Sequence, residues 1–449
     1  MTTVRHVIGC MTGTSIDGID VALCKLEGRG ILNMRCTCLA THSADMPKVL
    51  SDSLRAFADK DAALTAKQLC ELQRDFSMLH VIAIRSLMDK FNTENPGWVD
   101  QHGSEVIVSV HGQTVYHAPP LYSYQLFAAA PLAHELGLTV VCDLRAADVA
   151  AGGQGAPLTP VSDFVLFRDR RSSKDAVDVA ASLPGNVGPR TVSEAVSTPE
   201  TRIVVNLGGI CNVTCILPQS QVPASCSAEE VVSRTVRGFD VCVCSQLLDA
   251  VARTRLNCAY DDNGANASAG TARDYVVAAL SEKLRVQAKA GRSLGTQDSP
   301  ADWIRSFDAV DSQDLAASAV EAVATCIVAS FPLQAKVTTC SATATTNANA
   351  TAATSTSTST KVRVLLAGGS ACNLALQRSI LHHSKALDPA VIVQCTDHED
   401  VGSAVGVLMR ECCGWAVLGA LCMDREAITL KQTTGVERAP VAGQWTYPP

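Results

Sequence analysis

Paired CxxC spacings are missing from this chain, although it holds nineteen cysteines. That absence removes the usual cysteine-ligated structural zinc motifs. The cysteines read as small buried hydrophobes of an intracellular protein, with Cys242 and Cys244, or Cys412 and Cys413, as pairs able to ligate a metal. A basic surplus is also missing: net charge is −7, the sequence pI is near 5.8 and only 18% of residues are charged. The chain therefore lacks the electrostatic footprint of a nucleic-acid binder or of a protein drawn to acidic membranes. No apolar run reaches the roughly 18 to 20 residues that a membrane span requires, and the N-terminus lacks the apolar core of a signal peptide. The expectation is a cytoplasmic protein with no nucleic-acid or membrane partner. What is present is apolar content, 47% of 449 residues, enough for well-buried cores and more than one domain.

Strand and helix patterns alternate along the chain, which predicts an α/β fold. HVIGCM and DVALCKLE read as strands around a small-residue turn, and EVIVSVHGQT as a buried strand entering a loop. QLFAAAPLAHELGL has helical spacing and TVVCDL follows as a strand. RIVVNLGGICNVTCIL reads as a hairpin turning at Gly208 and Gly209. Helices are expected over 245–256, 271–290, 312–332, from about 371, and 404–423, with strands at VRVLLAGGS and AVIVQC. Three stretches read as inserted loops: 171–200, 217–232, and 338–360, the last an Ala/Thr/Ser tract expected to be disordered.

Chemistry is expected where strands end in small or polar residues. GCMTGTSIDGID places Gly13, Thr14, Ser15, Asp17, Gly18 and Asp20 after a strand. Backbone amides and hydroxyls there can approach phosphate, and aspartates can hold Mg²⁺ through water. The lysine of a Walker A loop and a GxGxxG pattern are both absent, and a hairpin with a polar turn is the competing reading. SVHGQTVYH clusters His111, Gly112, Gln113, Thr114 and His117 at a strand end, where α/β proteins place ligand contacts. Asp143 and Arg145, followed by Asp148 and a Gly-rich loop, suit a polar ligand such as a sugar; an internal salt bridge pinning the loop is the alternative. Gly208 with Gly209, and Gly368 with Gly369, follow buried strands and offer free N–H groups to phosphate or ribose. Asp240 sits between an aromatic and a Val/Cys run, as a helix cap or as a group placed for chemistry.

The order and spelling of these loops resemble the anhydro-N-acetylmuramic acid kinase family: GCMTGTSIDGID, HGQTVYH, DLRAADVAAGGQGAPLTP, NLGGICNVT, GFD, YDDNGANASAGT, GGSACN, ECCGWAVLG and TTGVERAPVAGQW. The resemblance implies the actin-like ATPase (ribonuclease H-like) fold, two α/β domains around a deep cleft. Domain I would comprise residues 1–140 and 412–449, and domain II residues 141–411. It implies a cell-wall recycling kinase that uses ATP, Mg²⁺ and water to convert 1,6-anhydro-N-acetylmuramic acid into N-acetylmuramic acid 6-phosphate, and a homodimer as candidate assembly. Asp240 would be the catalytic base. The run Gly13, Thr14, Ser15, Ile16, Asp17, Gly18, Ile19 and Asp20 would bind ATP with Gly208, Gly209, Gly368 and Gly369. Mg²⁺ would come with the nucleotide through Asp17 or Asp20, with no fixed protein metal site. His111, Gly112, Gln113, Thr114, Asp143 and Arg145 would line the sugar site, and Glu411 would lie near the hinge or nucleotide. This sequence departs from the family's Thr-Gly-Pro-Gly-Asn after the base, having Val241, Cys242, Val243, Cys244 and Ser245, and it carries Asn263 and Ala367 in place of Asp and Gly. A catalytically impaired nucleotide- or sugar-binding homologue, and a kinase for a different anhydro or amino sugar, are the alternative functions these departures raise.

Overall fold

A computed structural model describes residues 3–13, 15–58, 63–168, 199–223, 225–289, 294, 300–332, 361–398 and 405–449. Thr14, the low-complexity tract and all but the last two residues of the 171–200 loop lie outside the described residues. The first part of the chain forms β1 (Val4–Met11), β2 (Gly18–Glu27), β3 (Arg35–Asp45), β4 (Ile107–Val110), the hairpin β5 (Gln113–Ala118) and β6 (Tyr122–Leu126), and β7 (Thr139–Cys142). The second part supplies β8 (Glu200–Leu207), β9 (Ile210–Ile216), β10 (Val236–Val243), β11 (Lys361–Ala367), β12 (Ile392–Cys395) and β13 (Gln444–Thr446).

These strands make two main sheets, in the orders β13-β7-β4-β1-β2-β3 and β10-β9-β8-β11-β12. One plan is used twice. In the first sheet β1, β2 and β3 are antiparallel neighbours, and β4 and β7 continue parallel to β1. In the second, β8, β9 and β10 are antiparallel neighbours, and β11 and β12 continue parallel to β8. Strand β13 returns the C-terminal segment to the first sheet, antiparallel to β7.

The principal helices are α1 (Lys48–Phe57), α2 (Ala66–Glu94), α3 (Ala129–Leu136), α4 (Ala146–Ala150), α5 (Thr159–Phe167), α6 (Ala228–Thr235), α7 (Ser245–Val251), α8 (Asp274–Lys289), α9 (Ser312–Ala329), α10 (Leu374–Leu387) and α11 (Arg410–Met423). Apolar side chains gather into three cores. One lies under α2 on the first sheet, one surrounds the second sheet with α8 and α9, and one joins both sheets through α5 and α11. Helix α11 lies close on β1: a Cβ at Gly9 would come within 1.9 Å of the Cys412 carbonyl oxygen. Glycine is therefore required in that strand.

The structure corrects the sequence expectation in three places. The 217–232 stretch is not only loop, because Ser227 and Glu230 form a capping box that opens α6. The last long helix begins at Arg410, after a turn, rather than at 404. Only residues from Ala129 onward in QLFAAAPLAHELGL are helical, since Leu126 ends β6. Among the described residues no helix is long and apolar enough to cross a membrane.

Candidate active site

The turn after β1 is held from behind. Ile16 adopts a left-handed conformation (φ 51) and its N–H donates to the Gly13 carbonyl at 3.2 Å. From α1, Ser51 donates to the Ile16 carbonyl at 2.6 Å and Arg55 to the Ser15 carbonyl at 2.6 Å. The Ser15 hydroxyl donates to Asp17 at 2.6 Å. Ile19 is fully buried in the core beneath, and Asp20, already in β2, accepts from Ser43 at 2.5 Å. Burial raises the Asp20 pKa, with Asp17 adding to the rise.

At the end of β4, His111 is buried and its ring stands 4.8 Å from that of Trp415. Its Nε2 accepts from the Arg145 guanidinium at 3.0 Å, which leaves the ring proton on Nδ1. Burial and the Arg145 charge push the His111 pKa well below its ordinary value, so the ring is neutral. Arg145 also donates to the Gly155 carbonyl at 2.7 Å. Burial lowers the Arg145 pKa, and the carboxylates of Asp240, Glu411 and Asp148 oppose that shift. These groups thus share one electrostatic neighbourhood, although they come from β10, α11 and α4. Asp143 is turned elsewhere: it accepts from Ala146 N–H at 3.3 Å and from Gln444 at 2.7 Å. Asp148 pins the Gly-rich loop, accepting from Gly155 N–H at 2.7 Å and from Thr434 at 2.9 Å.

Asp240 lies on β10 opposite Asn212, immediately before a bulge between Asp240 and Cys242. Bulges re-aim side chains next to functional sites. Its Oδ2 accepts from Leu294 N–H at 2.9 Å. Gly238 is required two residues earlier, because a Cβ there would meet the Pro160 ring at 2.1 Å. Of the departure that follows, Val241 to Cys244 lie in the core of the second sheet, and Ser245 is half-buried at the start of α7. The bulk that replaces the family's glycines is therefore absorbed by packing. Asn263 adopts a left-handed conformation (φ 52), one that asparagine tolerates well.

Gly208 and Gly209 form the β8–β9 turn, and their carbonyls accept from Ser245 N–H at 3.0 Å and Cys244 N–H at 2.8 Å. This staples the turn to the start of α7. Gly368 (φ 90) packs against the end of β8, while nothing lies within 4 Å of where a Gly369 Cβ would stand. Glu411 accepts from Asn206 at 3.4 Å, and its pKa is raised chiefly by burial, against the opposing pull of Arg410 and Arg145.

Two features were not anticipated from sequence. The first is a set of buried polar atoms without hydrogen-bond partners: Thr12 Oγ1, His111 Nδ1, Gln113 Oε1, Arg145 Nε, Asn206 Oδ1 and Asn212 Oδ1. They come from strand ends and turns of both sheets, where a polar ligand would complete them. The second is Asp249 on α7. Burial raises its pKa to about 6, with Asp17 adding to the rise and Arg253 opposing it. Asp17 therefore lies within electrostatic reach of α7. The sequence signal was only an acidic residue in the helix after Asp240.

Because folding raises the Asp249 pKa, the unfolded chain gives up this proton first. Its contribution favours folding below the ordinary value of 3.8 and is lost as pH rises to about 6. Asp249→Asn is expected to stabilise the protein above that pH by on the order of 1 kcal/mol after allowing for solvent screening. The gain should shrink as the pH falls from about 6 through 3.8 and vanish below that, where the carboxyl is protonated in both states. Thermal melts of both proteins across that range check it, and a gain independent of pH would refute the assignment.

Two sheets of the same strand order, joined by helices through a shared core, form the duplicated ribonuclease H-like architecture of actin-like ATPases. The family model for anhydro-N-acetylmuramic acid kinase matches residues 5–183 and 190–448. The chain belongs to that family and is a phosphotransferase acting on a hydroxyl group. Anhydro-N-acetylmuramic acid kinase from Bordetella parapertussis is 30% identical over 98% of this chain and 95% of its own. The protein of that name from Salinibacter ruber is 30% identical over 74% of each chain, and that from Bacillus thuringiensis subsp. konkukian is 23% identical over 99% and 100%. Among solved structures, the activator of the 2-hydroxyisocaproyl-CoA dehydratase from Clostridium difficile with bound ADPNP covers 94% of this chain at 10% identity, with a TM-score of 0.37.

Proposed function

We propose that this kinase uses ATP and water to open 1,6-anhydro-N-acetylmuramic acid and phosphorylate O6, giving N-acetylmuramic acid 6-phosphate for cell-wall sugar recycling. The observation that carries the reading is the set of unpartnered buried polar atoms at strand ends and turns, His111 Nδ1 and Arg145 Nε among them, with Arg145 within electrostatic reach of Asp240. A sugar rich in hydroxyls supplies the missing partners. Asp240 accepts a proton from water as the water oxygen bonds to the anomeric carbon. The bond from that carbon to O6 breaks, and O6 takes the γ-phosphoryl group while ADP leaves. Neutral His111 donates from Nδ1 and accepts from Arg145, which fixes the ring's orientation toward the sugar.

The turn at Gly13 to Asp17 and the glycine turns at Gly208–Gly209 and Gly368–Gly369 bracket the nucleotide in this reading. Asp17 and Asp249 would hold a Mg²⁺ ion, because carboxylate oxygens suit a hard cation. Mg²⁺ would supply charge stabilisation at the transferred phosphoryl group, with Asp20 a further water-mediated ligand. In this division, residues 1–140 with 412–449 carry the first phosphate turn, and residues 141–411 carry the base.

The test is ADP release coupled to a colorimetric readout with anhydro-muramic acid and Mg-ATP, with product mass determined. The expected product carries one added water and one phosphoryl group. Nucleotide binding without turnover would leave a binding module instead of a kinase, and turnover confined to another anhydro or amino sugar would reassign the substrate.

A further inference from the structure

Cys24, Cys38 and Cys413 bring their sulfur atoms within 4.8 Å of one another. They come from three elements that the fold holds rigidly together. Cys24 and Cys38 are register partners on β2 and β3, beside an irregularity between Leu23 and Cys24. Cys413 reaches them from α11, which packs against both β2 and β3.

We propose that these three cysteines form a site for one thiophilic metal ion of the Zn²⁺ type. The geometry is close to what such an ion takes: zinc–thiolate bonds of about 2.3 Å place tetrahedral sulfurs roughly 3.8 Å apart, a small contraction from the present spacing. The donor set is sulfur alone, which selects soft and borderline cations over Mg²⁺ or Ca²⁺. Access is provided too. Cys24 and Cys413 are buried, but Cys38 is only half-buried and lies on β3, the edge strand of the first sheet. An ion entering there would displace thiol protons to solvent and bond the three sulfurs, leaving a fourth position for water or an added thiol.

The site has a structural consequence. Cys413 stands three residues after Arg410 and two after Glu411 on the helix that joins both sheets. A metal held here would tie the β2–β3 edge to that helix, away from the phosphate turn. It would raise stability without being required for phosphoryl transfer, because ion binding to the native state alone favours that state.

The experiment uses the full chain, reduced and stripped with chelator, titrated with Co²⁺ as a spectroscopic probe. The expected result is one equivalent bound, with a thiolate-to-cobalt charge-transfer band and tetrahedral d–d bands. Both are displaced by one equivalent of Zn²⁺, and Zn²⁺ raises the thermal midpoint. Cys38→Ser and Cys24→Ala should each weaken binding by roughly tenfold or more, whereas Cys70→Ser, at an exposed cysteine, should not. Melts in chelator confirm that each variant is folded, and two independent variants guard against loss of one to misfolding. Bands that persist in both variants overturn the site. So does a reduced wild-type protein that takes up no cobalt and on mild oxidation loses two thiols mapped to Cys24 and Cys38, which would make the cluster a disulfide-forming pair.

Discussion

Asp240→Asn is expected to lower kcat by about a hundred- to ten-thousandfold, the span that a positioned general base contributes. The amide matches the carboxylate in shape and can still accept from Leu294 N–H, which Asp240 does at 2.9 Å. It cannot take a proton from water at neutral pH. Melting behaviour and nucleotide affinity should stay close to wild type, because the phosphate turn after β1 is held by Ser51 and Arg55 and does not lean on Asp240. The measurement is single-turnover ADP formation together with nucleotide and sugar affinities. A loss of less than tenfold in kcat would remove Asp240 from the base role. A loss confined to sugar affinity would make it a binding group beside Arg145, the cation that feels it most strongly among its carboxylate neighbours.

Much of the architecture was legible because the signals were local. Alternating apolar runs ending in small residues mark β1, β4, β8 and β11, and the glycine pairs at 208–209 and 368–369 fall where strands end. The capping box at Ser227 is equally local, an S-x-x-E spelling, although the stretch around it has the composition of a loop. The site resisted for a different reason. Arg145 was read beside Asp143, its neighbour in sequence, yet its side-chain partners are His111, thirty-four positions earlier, and the Gly155 carbonyl. Asp143 turns to Gln444 near the other end of the chain. Likewise, adjacency in sequence suggests Cys412 and Cys413 as a pair, whereas residues adjacent on a helix point to different faces. The structure places Cys413 with Cys24 and Cys38 instead. Sequence spacing finds groups on one element; it does not find groups that meet when two sheets are joined by α5 and α11.

The strongest stability effect is expected where that joint is ionic. Arg410 and Asp163 are each about 1% exposed and pair through two hydrogen bonds, one of them from Nε at 2.8 Å. Asp163 also accepts from Thr214 on β9 at 2.6 Å, so the pair links α11, α5 and the second sheet. Removing either partner leaves a charge in a site that water does not reach. Asp163→Ala is therefore expected to cost about 3–5 kcal/mol of folding stability, and Arg410→Ala a similar amount. Arg410 Nη1 already lacks a hydrogen-bond partner, so the cation relies on Asp163 for the hydrogen bonds it makes. The double replacement Asp163→Leu with Arg410→Met should cost far less than the sum of the single changes, since apolar side chains of similar volume fill the space without stranding a charge. Urea denaturation of the four proteins closes this cycle. Single variants within about 1 kcal/mol of wild type would show that solvent reaches the pair. Additive losses would show that the two side chains act independently. The cost of the joint also bears on function. Glu411, next to Arg410, accepts from Asn206 at 3.4 Å at the end of β8. The ion pair therefore sets where the first turn of α11 meets the turn proposed for the nucleotide, and Asp163→Ala should weaken nucleotide affinity even at temperatures where the protein remains folded.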